Sequence, residues 1–462
     1  MSVLTASRAP ATVHRSGTLA VLAAAQFLIA LDYSIIYVAL PSIASALHLE
    51  PTHAQWVVSA YAVLFAGFLV VGGRLSDRFG AKRMFMVAVI AFGVASAIGG
   101  AADTGIVLLA ARAAQGLGAA LLQPAVLGLI GTTFPAGPSR SRALAVWGSV
   151  GASGLAAGAI LGGLLTTASW RLTFVVNVPV TLLCAVGAAV WFGPARDRTG
   201  VGRIPLLASA LGTGAALALV LGLTLGSGRG SALTFGCLGL ALVLFLGFVR
   251  NESASSNVLI EVVLRRTRSL RVGATATALY MASVGSEFYL LTLLLQSMKD
   301  YSPLRAGLAF FPLALMVTVG STTAGHAVRR HAPATVLVAG FAIATVGLCW
   351  LSLALHGDSY AFDLLPGVIL SGLGHGAIYT SMFIIGSHDV PAAHQGTAGA
   401  LLTTSQYLSG ALTVAVLTLA LGTAPDYPSF RTAFLLTTAA AAGGLVLSVV
   451  HQRGRTVGGR VE

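Results

Sequence analysis

Asp32, Arg112, Glu287 and His375 are the side chains with which this sequence could do chemistry, and each interrupts a run otherwise suited to hydrocarbon. Asp32 sits in "QFLIALDYSIIYVALP", Gln26 to Pro41, and Arg112 in "ARAAQGLGAA", Ala111 to Ala120. Glu287 lies in "YMASVGSEFYLL", with Tyr280 and Ser283 on its face; His375 occupies a separate stripe with Ser371, Tyr379 and Met382. An ionisable group at membrane depth costs about 2.5 to 3.5 kcal/mol on insertion scales, so it turns inward and needs a partner. Two carboxylates and an imidazole so placed can take up and release protons, the imidazole near neutral pH, while a guanidinium keeps its charge and biases a carboxylate beside it. Blander roles stay open: Glu287 can bind a cation, shuttle a proton or pair locally, and a lone histidine is more often a packing residue.

Other chemistries lack their residues. The two lysines, Lys82 and Lys299, are followed by Arg and Asp, which excludes a GK[ST] phosphate loop and with it ATP hydrolysis. No nucleophile–base pair and no metal-ligand spacing is present, so neither a cofactor nor a metal is expected. Cys184, Cys237 and Cys349 fall in apolar stretches and read as small buried hydrophobes. The net charge of +13 does not imply nucleic acid, because the basic residues are spread over the segments between apolar runs.

These residues must be positioned by membrane helices. The chain is 56% hydrophobic and 9% charged, where a soluble domain carries roughly 25% charged residues. Windows of about 20 apolar residues recur fourteen times, near 18–40, 55–73, 84–102, 105–132, 143–166, 173–192, 204–226, 232–249, 272–296, 306–326, 333–355, 362–386, 396–421 and 430–450. The seventh and eighth, joined by "GSGRGS", also fit a shallow hairpin. Most of the 27 Lys and Arg fall on one side of this arrangement, with Arg171, Arg229, Lys299, Arg305 and Arg431 on the other. Both termini are therefore expected in the cytoplasm. The basic segment before the first span resembles the start of a signal peptide, but that span is too long and carries Asp32, so it is read as a helix.

The halves repeat. "GRLSDRFGAKRM", Gly73 to Met84, has a counterpart in "GHAVRRHAPATV", Gly325 to Val336, where Arg330 keeps the charge of Arg78, Asp77 becomes Arg329 and Gly80 becomes Ala332. Two six-helix halves with an extra pair between them is the parallel repeat of a transporter whose site lies between the halves. The expected units are 1–192, a linker of two further spans at 193–250, and 251–462.

"GRLSDRFGAKR" resembles the loop signature of the major facilitator superfamily, and fourteen spans with "LDYSIIYVALP" resemble its drug:proton antiporter branch. "GAILGG", "SWRLTFVVNVP" and "YSPLRAGL" extend the resemblance over nearly the whole chain. It implies an all-α polytopic membrane protein with the major facilitator fold. Two departures stand out: Tyr37 replaces the branch's usual Asn, and Ala159 the Pro of its fifth-helix antiporter signature. Gly148, Gly151, Gly154, Gly158 and Gly162 still give that helix one smooth face for close packing.

In this fold the first and fourth helices are neighbours. Asp32 and Arg112 both come roughly 10 Å below the outer surface, so a buried pair is expected. The resemblance implies proton transfer for Arg112, and Asp32 is read as the coupling carboxylate, with Glu287 and His375 as further candidates. Gln26, Tyr33, Tyr37, Gln115, Gln123, Tyr280, Tyr379, Gln406 and Tyr407 are assigned to a substrate cavity, with aromatic packing as the rival reading. Gly73, Asp77, Arg78, Gly80, Lys82 and Arg83 are assigned to an inner gating loop, Gly73 and Gly80 permitting its tight turn. The expected protein is a monomeric, proton-driven exporter of drugs or other small organic compounds in a bacterial inner membrane, in contact with lipid, without ATP or nucleic acid. A carrier of one endogenous metabolite is the alternative; a membrane sensor or embedded enzyme is the rival from another class.

Overall fold

The computed structural model describes residues 15–49, 51–193, 205–226, 232–255, 258–301, 303–357, 359–422 and 425–458. Long apolar runs become long helices: α1 (Arg15–Ala46), α2 (Pro51–Phe79), α3 (Ala81–Gly100), α4 (Gly105–Thr133) and α5 (Pro138–Ala168). A short α6 (Leu172–Val175) leads into α7 (Asn177–Trp191), followed by α8 (Leu206–Gly226), α9 (Ala232–Ala254) and the short α10 (Val262–Arg266). Then come α11 (Arg268–Leu293), α12 (Pro303–Ala309), α13 (Phe311–Ala327), α14 (Pro333–Leu353), α15 (Leu365–Ser387), α16 (Gln395–Leu421) and α17 (Tyr427–Gly458). Among the described residues there is no strand, and thirteen helical segments are long and apolar enough to cross a membrane. The remaining expected span, 143–166, lies within α5, a helix of 31 residues.

Helix ends follow local chemistry. The Thr104 hydroxyl accepts a bond from the Val107 amide at 3.4 Å at the start of α4, and Pro138 and Pro333 occupy first-turn positions where a missing N–H costs nothing. The bundle is apolar outside as well as inside: Leu183, Leu233, Phe235, Leu419 and Val446 are exposed, as lipid-facing side chains should be.

The repeat is visible in who packs on whom. α1 lies along α5 as α11 lies along α16; α2 and α3 flank α4 as α13 and α14 flank α15; α7 rests on α3 as α17 rests on α14. The halves meet where α16 crosses α2 and α4, and where α13 and α15 cross α5. α8 and α9 are full-length helices packed on each other, with α8 against α2 and α16, so the shallow hairpin does not form.

The α5 glycines make the α1 contact. A Cβ at Gly151 would come within 2.8 Å of Gln26, at Gly154 within 2.9 Å of Ala30, at Gly162 within 3.0 Å of the Ile35 carbonyl, and at Gly158 it would strike the Ser34 hydroxyl. Gly148 instead faces the other half, 2.9 Å from Tyr379. Gly158→Leu is therefore expected to abolish monodisperse protein in size-exclusion chromatography, whereas Gly236→Ala, whose Cβ meets nothing within 4 Å, leaves the profile unchanged.

Four expectations need correction. The segment 73–84 is not mainly a loop: α2 continues to Phe79, and the turn is confined to Gly80, whose φ of 90° favours glycine. Gly73 serves no turn; it lets α2 approach α16, where its Cβ would lie 2.7 Å from that of Ala400. The sixth span is divided at Val176. Of the cysteines, Cys184 is buried, but Cys237 is half-buried and Cys349 exposed, because the faces of α9 and α14 that carry them turn outward.

Candidate transport site

Asp32 and Arg112 meet as expected, each 1% exposed, with Arg112 Nη1 donating to Asp32 Oδ2 at 2.7 Å. Helix spacing supplies the rest of the cluster. Gln115, one turn beyond Arg112, donates to Asp32 Oδ1 at 3.1 Å and to the Ser96 hydroxyl at 2.8 Å, and its carbonyl accepts from Arg112 at 2.9 Å. Asn177 donates to Asp32 Oδ1 at 2.7 Å. Three donors, two from α4 and one from α7, thus converge on one carboxylate. Arg112 has further support that does not involve Asp32: Nε donates to the Val57 carbonyl at 2.9 Å, and the guanidinium lies 4.5 Å over the Tyr61 ring. A buried ion pair is tolerable when further hydrogen bonds surround it, as those from Gln115 and Asn177 and that to Val57 do here.

Sequence reasoning missed Asn177, Ser96 and Tyr61. Asn177 had a visible signal, an uncharged amide inside "SWRLTFVVNVP", and the break between α6 and α7 puts it at the first position of the continuing helix. Gln115, assigned to the cavity, is fully buried and spent on Asp32, Arg112 and Ser96, because its face of α4 turns toward α1 and α3. Gln123 is buried, its side-chain carbonyl oxygen without a partner among the described residues.

Glu287 and His375, read as separate stripes, are neighbours. His375 Nδ1 lies 3.4 Å from Glu287 Oε2, and the Ser371 hydroxyl donates to Oε1 at 2.6 Å; glutamate and histidine are both fully buried. α11 and α15 pack directly, as contact between separate helices requires and as no single-helix stripe can reveal. Tyr280 and Tyr379 close around them, with the Tyr280 ring 5.8 Å from His375 and 5.5 Å from Tyr379. Each half therefore holds a buried carboxylate on its first helix, facing the fourth helix of that half.

Between the clusters lies an aromatic belt. Tyr33 stands edge-on to Tyr37 at 5.7 Å and to Tyr407 at 6.4 Å, and Tyr407 meets Phe65 at 4.7 Å. Trp147 stacks on Tyr379 at 5.5 Å and touches Phe383 at 4.9 Å, joining α5 to α15. Trp147 was not singled out from the sequence, yet it is fully buried across the two halves with an indole N–H lacking an acceptor among the described residues. Tyr37 stays 50% exposed. Gln26 is buried against Gly151, and Gln406 reaches Met281 Sδ at 3.9 Å.

At the end of the bundle that carries the turn at Gly80, here the gate end, Asp77 ties α2 to the start of α16. Its carboxylate accepts from the Gly396 amide at 3.0 Å, the Thr397 amide at 2.9 Å and the Thr397 hydroxyl at 2.6 Å. A carboxylate at the start of α16 also meets the positive end of the helix dipole. Lys82 donates to the carbonyls of Phe192 and Gly193 at 3.0 and 3.1 Å, while Arg78 lies 5.4 Å over Phe79. A second link went unread in the sequence: Arg74 pairs with Glu261 at 2.5 Å, and Glu261 lies 3.2 Å from His394 just before α16. Glu261 is presented by a segment that Glu252 folds, accepting from the Leu259 and Ile260 amides and pairing with Arg265 at 2.7 Å.

A long bundle of repeated helices with charges buried inside each half has known relatives. The profile of the Major Facilitator Superfamily matches residues 22–414. The chain belongs to the major facilitator superfamily. Within this superfamily of membrane transporters it is 38% identical over 411 residues to a puromycin resistance protein of Streptomyces alboniger, covering 86% of this chain and 80% of the relative. It is 36% identical to a cephamycin export protein of Amycolatopsis lactamdurans, covering 85% and 82%, and 32% identical to a tetracenomycin C resistance and export protein of Streptomyces glaucescens, covering 87% and 74%. Among solved major facilitator structures, the human organic anion transporter MFSD10 matches with a TM-score of 0.69 at 14% identity, covering 95% of this chain and all of that one. The fucose:proton symporter FucP in its outward conformation matches with a TM-score of 0.65 at 15% identity, covering 94% and 98%.

Proposed function

We propose that this transporter exports small organic compounds in exchange for protons, by alternating access, across a bacterial cytoplasmic membrane with its gate end in the cytoplasm. The observation that carries the reading is the buried Asp32–Arg112 pair with its donors Gln115 and Asn177. The names of the relatives, resistance and export proteins for antibiotics, support the direction of transport and the substrate class. No cofactor besides the proton gradient enters the scheme.

In the proposed cycle a proton arriving from outside neutralises Asp32. The bond from Arg112 then loses its charge partner, but Arg112 keeps the Val57 carbonyl, the Gln115 carbonyl and the Tyr61 ring, so it has a resting place while the pair is open. Weakening that pair favours opening toward the cytoplasm, where substrate enters against the aromatic belt. Proton loss to the cytoplasm re-forms the pair and returns the bundle to the gate-closed arrangement, releasing substrate outside. Glu287, Ser371 and His375 supply a second protonatable group in the other half. Buried carboxylates on both sides of the belt suit cationic substrates. In inverted membrane vesicles acidified inside, a cationic dye is expected to accumulate and to be released by an uncoupler. Uncoupler-insensitive accumulation would contradict proton exchange.

A further inference from the structure

We propose that Arg142 and Arg329, beside His326, form a binding site for the phosphate of an anionic phospholipid in the leaflet at the gate end, and that this lipid ties the two halves together. The three residues line a cavity of about 340 Å³ between α5 and α13, with Ser149 and Thr322 further in and no acidic side chain in its wall. Arg142 and Arg329 are exposed, come from opposite halves, and have no hydrogen bond or ion pair among the described residues.

The repeat explains why an anion belongs there. On one side of the bundle Gly73 packs on Ala400; on the other, Gly325 packs on Ala145. Four residues beyond the first glycine is Asp77, and three residues before the first alanine is Thr397, which binds it. The same steps from Gly325 and Ala145 lead to Arg329 and Arg142. Where the first crossing has a carboxylate and its donors, the second has two cations lining one cavity with no carboxylate beside them, a charge that an anion would balance. A phosphate offers several acceptor oxygens to two guanidinium groups.

The face of α13 says where that phosphate comes from. Leu315 and Val319 are exposed, and with Thr322, His326 and Arg329 they follow one another at three- and four-residue spacing, so an outward apolar stripe runs into the basic mouth. A lipid can lay its acyl chain on Leu315 and Val319 with its headgroup at the arginines, whereas a free anion gains nothing from that stripe. A general preference for basic residues at this membrane surface accounts for Arg330, which does not line the cavity, but not for arginines from opposite halves lining one cavity with no carboxylate in its wall.

The test uses the full-length protein from nanodiscs of phosphatidylcholine and phosphatidylglycerol, with lipids retained per protein counted by native mass spectrometry. Wild type is expected to keep one phosphatidylglycerol preferentially. Arg142→Gln and Arg329→Gln each lower that retention about fivefold, while Arg330→Gln, removing the same charge one residue away, leaves it unchanged. Arg329→Asp supplies an internal anion opposite Arg142 and is expected to lose the lipid while matching wild type in thermal stability. Equal retention in all variants, or an equal loss in Arg330→Gln, would overturn the site. Stabilisation of delipidated protein by inorganic phosphate as large as that by phosphatidylglycerol would overturn the lipid assignment. The readout is binding and stability, so failure of the transport reading leaves it interpretable.

Discussion

Arg112→Met is expected to cost the folded protein about 3 to 5 kcal/mol, the penalty for leaving a buried charge without its partner. Asp32 would keep its bonds from Gln115 and Asn177, but neither brings a positive charge, and at 1% exposure water does not replace the guanidinium. The signature of the mechanism is rescue: Asp32→Asn combined with Arg112→Met removes both charges and should recover most of the loss, since a neutral pair is often no worse than a buried ion pair. Thermal unfolding of the purified single and double variants measures this. A double variant as unstable as Arg112→Met would mean that Arg112 acts through Val57 and Tyr61 and not through Asp32.

Asp77→Ala is expected to release the gate. Three bonds to an ionised acceptor, at 3.0, 2.9 and 2.6 Å, hold the start of α16 against α2, and bonds to charged groups contribute about 1.5 to 3 kcal/mol each. These bonds exist with the gate end closed, so their loss moves the balance between closed and open forms rather than unfolding either. A loss of about 3 kcal/mol shifts such an equilibrium more than 100-fold. Leu127→Cys, placed where Leu127 packs on Gly399 and introduced without the native cysteines, reports the change through its rate of thiol labelling. Labelling at least tenfold faster in Asp77→Ala is the expected result. An unchanged rate would show that Arg74, Glu261 and His394 hold the gate alone.

What could be read ahead of the structure followed depth and periodicity. Asp32 and Arg112 were readable as a pair because each is alone in its span and both count to the same level. Gly151, Gly154, Gly158 and Gly162 were readable as a contact face for the same reason, since helical spacing is a one-dimensional property, whereas Gly148, read on that face, meets Tyr379 of the other half. The Glu287–His375 contact was not, because it depends on which way α11 and α15 rotate toward each other, and their stripes were correct without revealing that they meet. Gln115 carried a polar face that fitted a cavity as well as a buried network; only the approach of Ser96 and Asn177 decides between them. At the gate, the turn glycine and Asp77 stood out, but Arg74 lay unmarked among other basic residues because its partner Glu261 comes from a distant segment ordered by Glu252. The second-half counterpart, Arg329, was visible as a substitution in the repeat; its meaning appears only when Arg142 is seen across the cavity.

In the proposed cycle Asp32 carries the proton whose movement is exchanged for substrate. This role is tested most directly in inverted vesicles by comparing wild type with Asp32→Asn in two modes: dye accumulation driven by an inside-acid pH gradient, and dye exchange at equal pH on both sides. The variant is expected to lose gradient-driven accumulation while still exchanging dye, because the substrate path stays open and the coupling step is gone. Full gradient-driven accumulation in Asp32→Asn would contradict it.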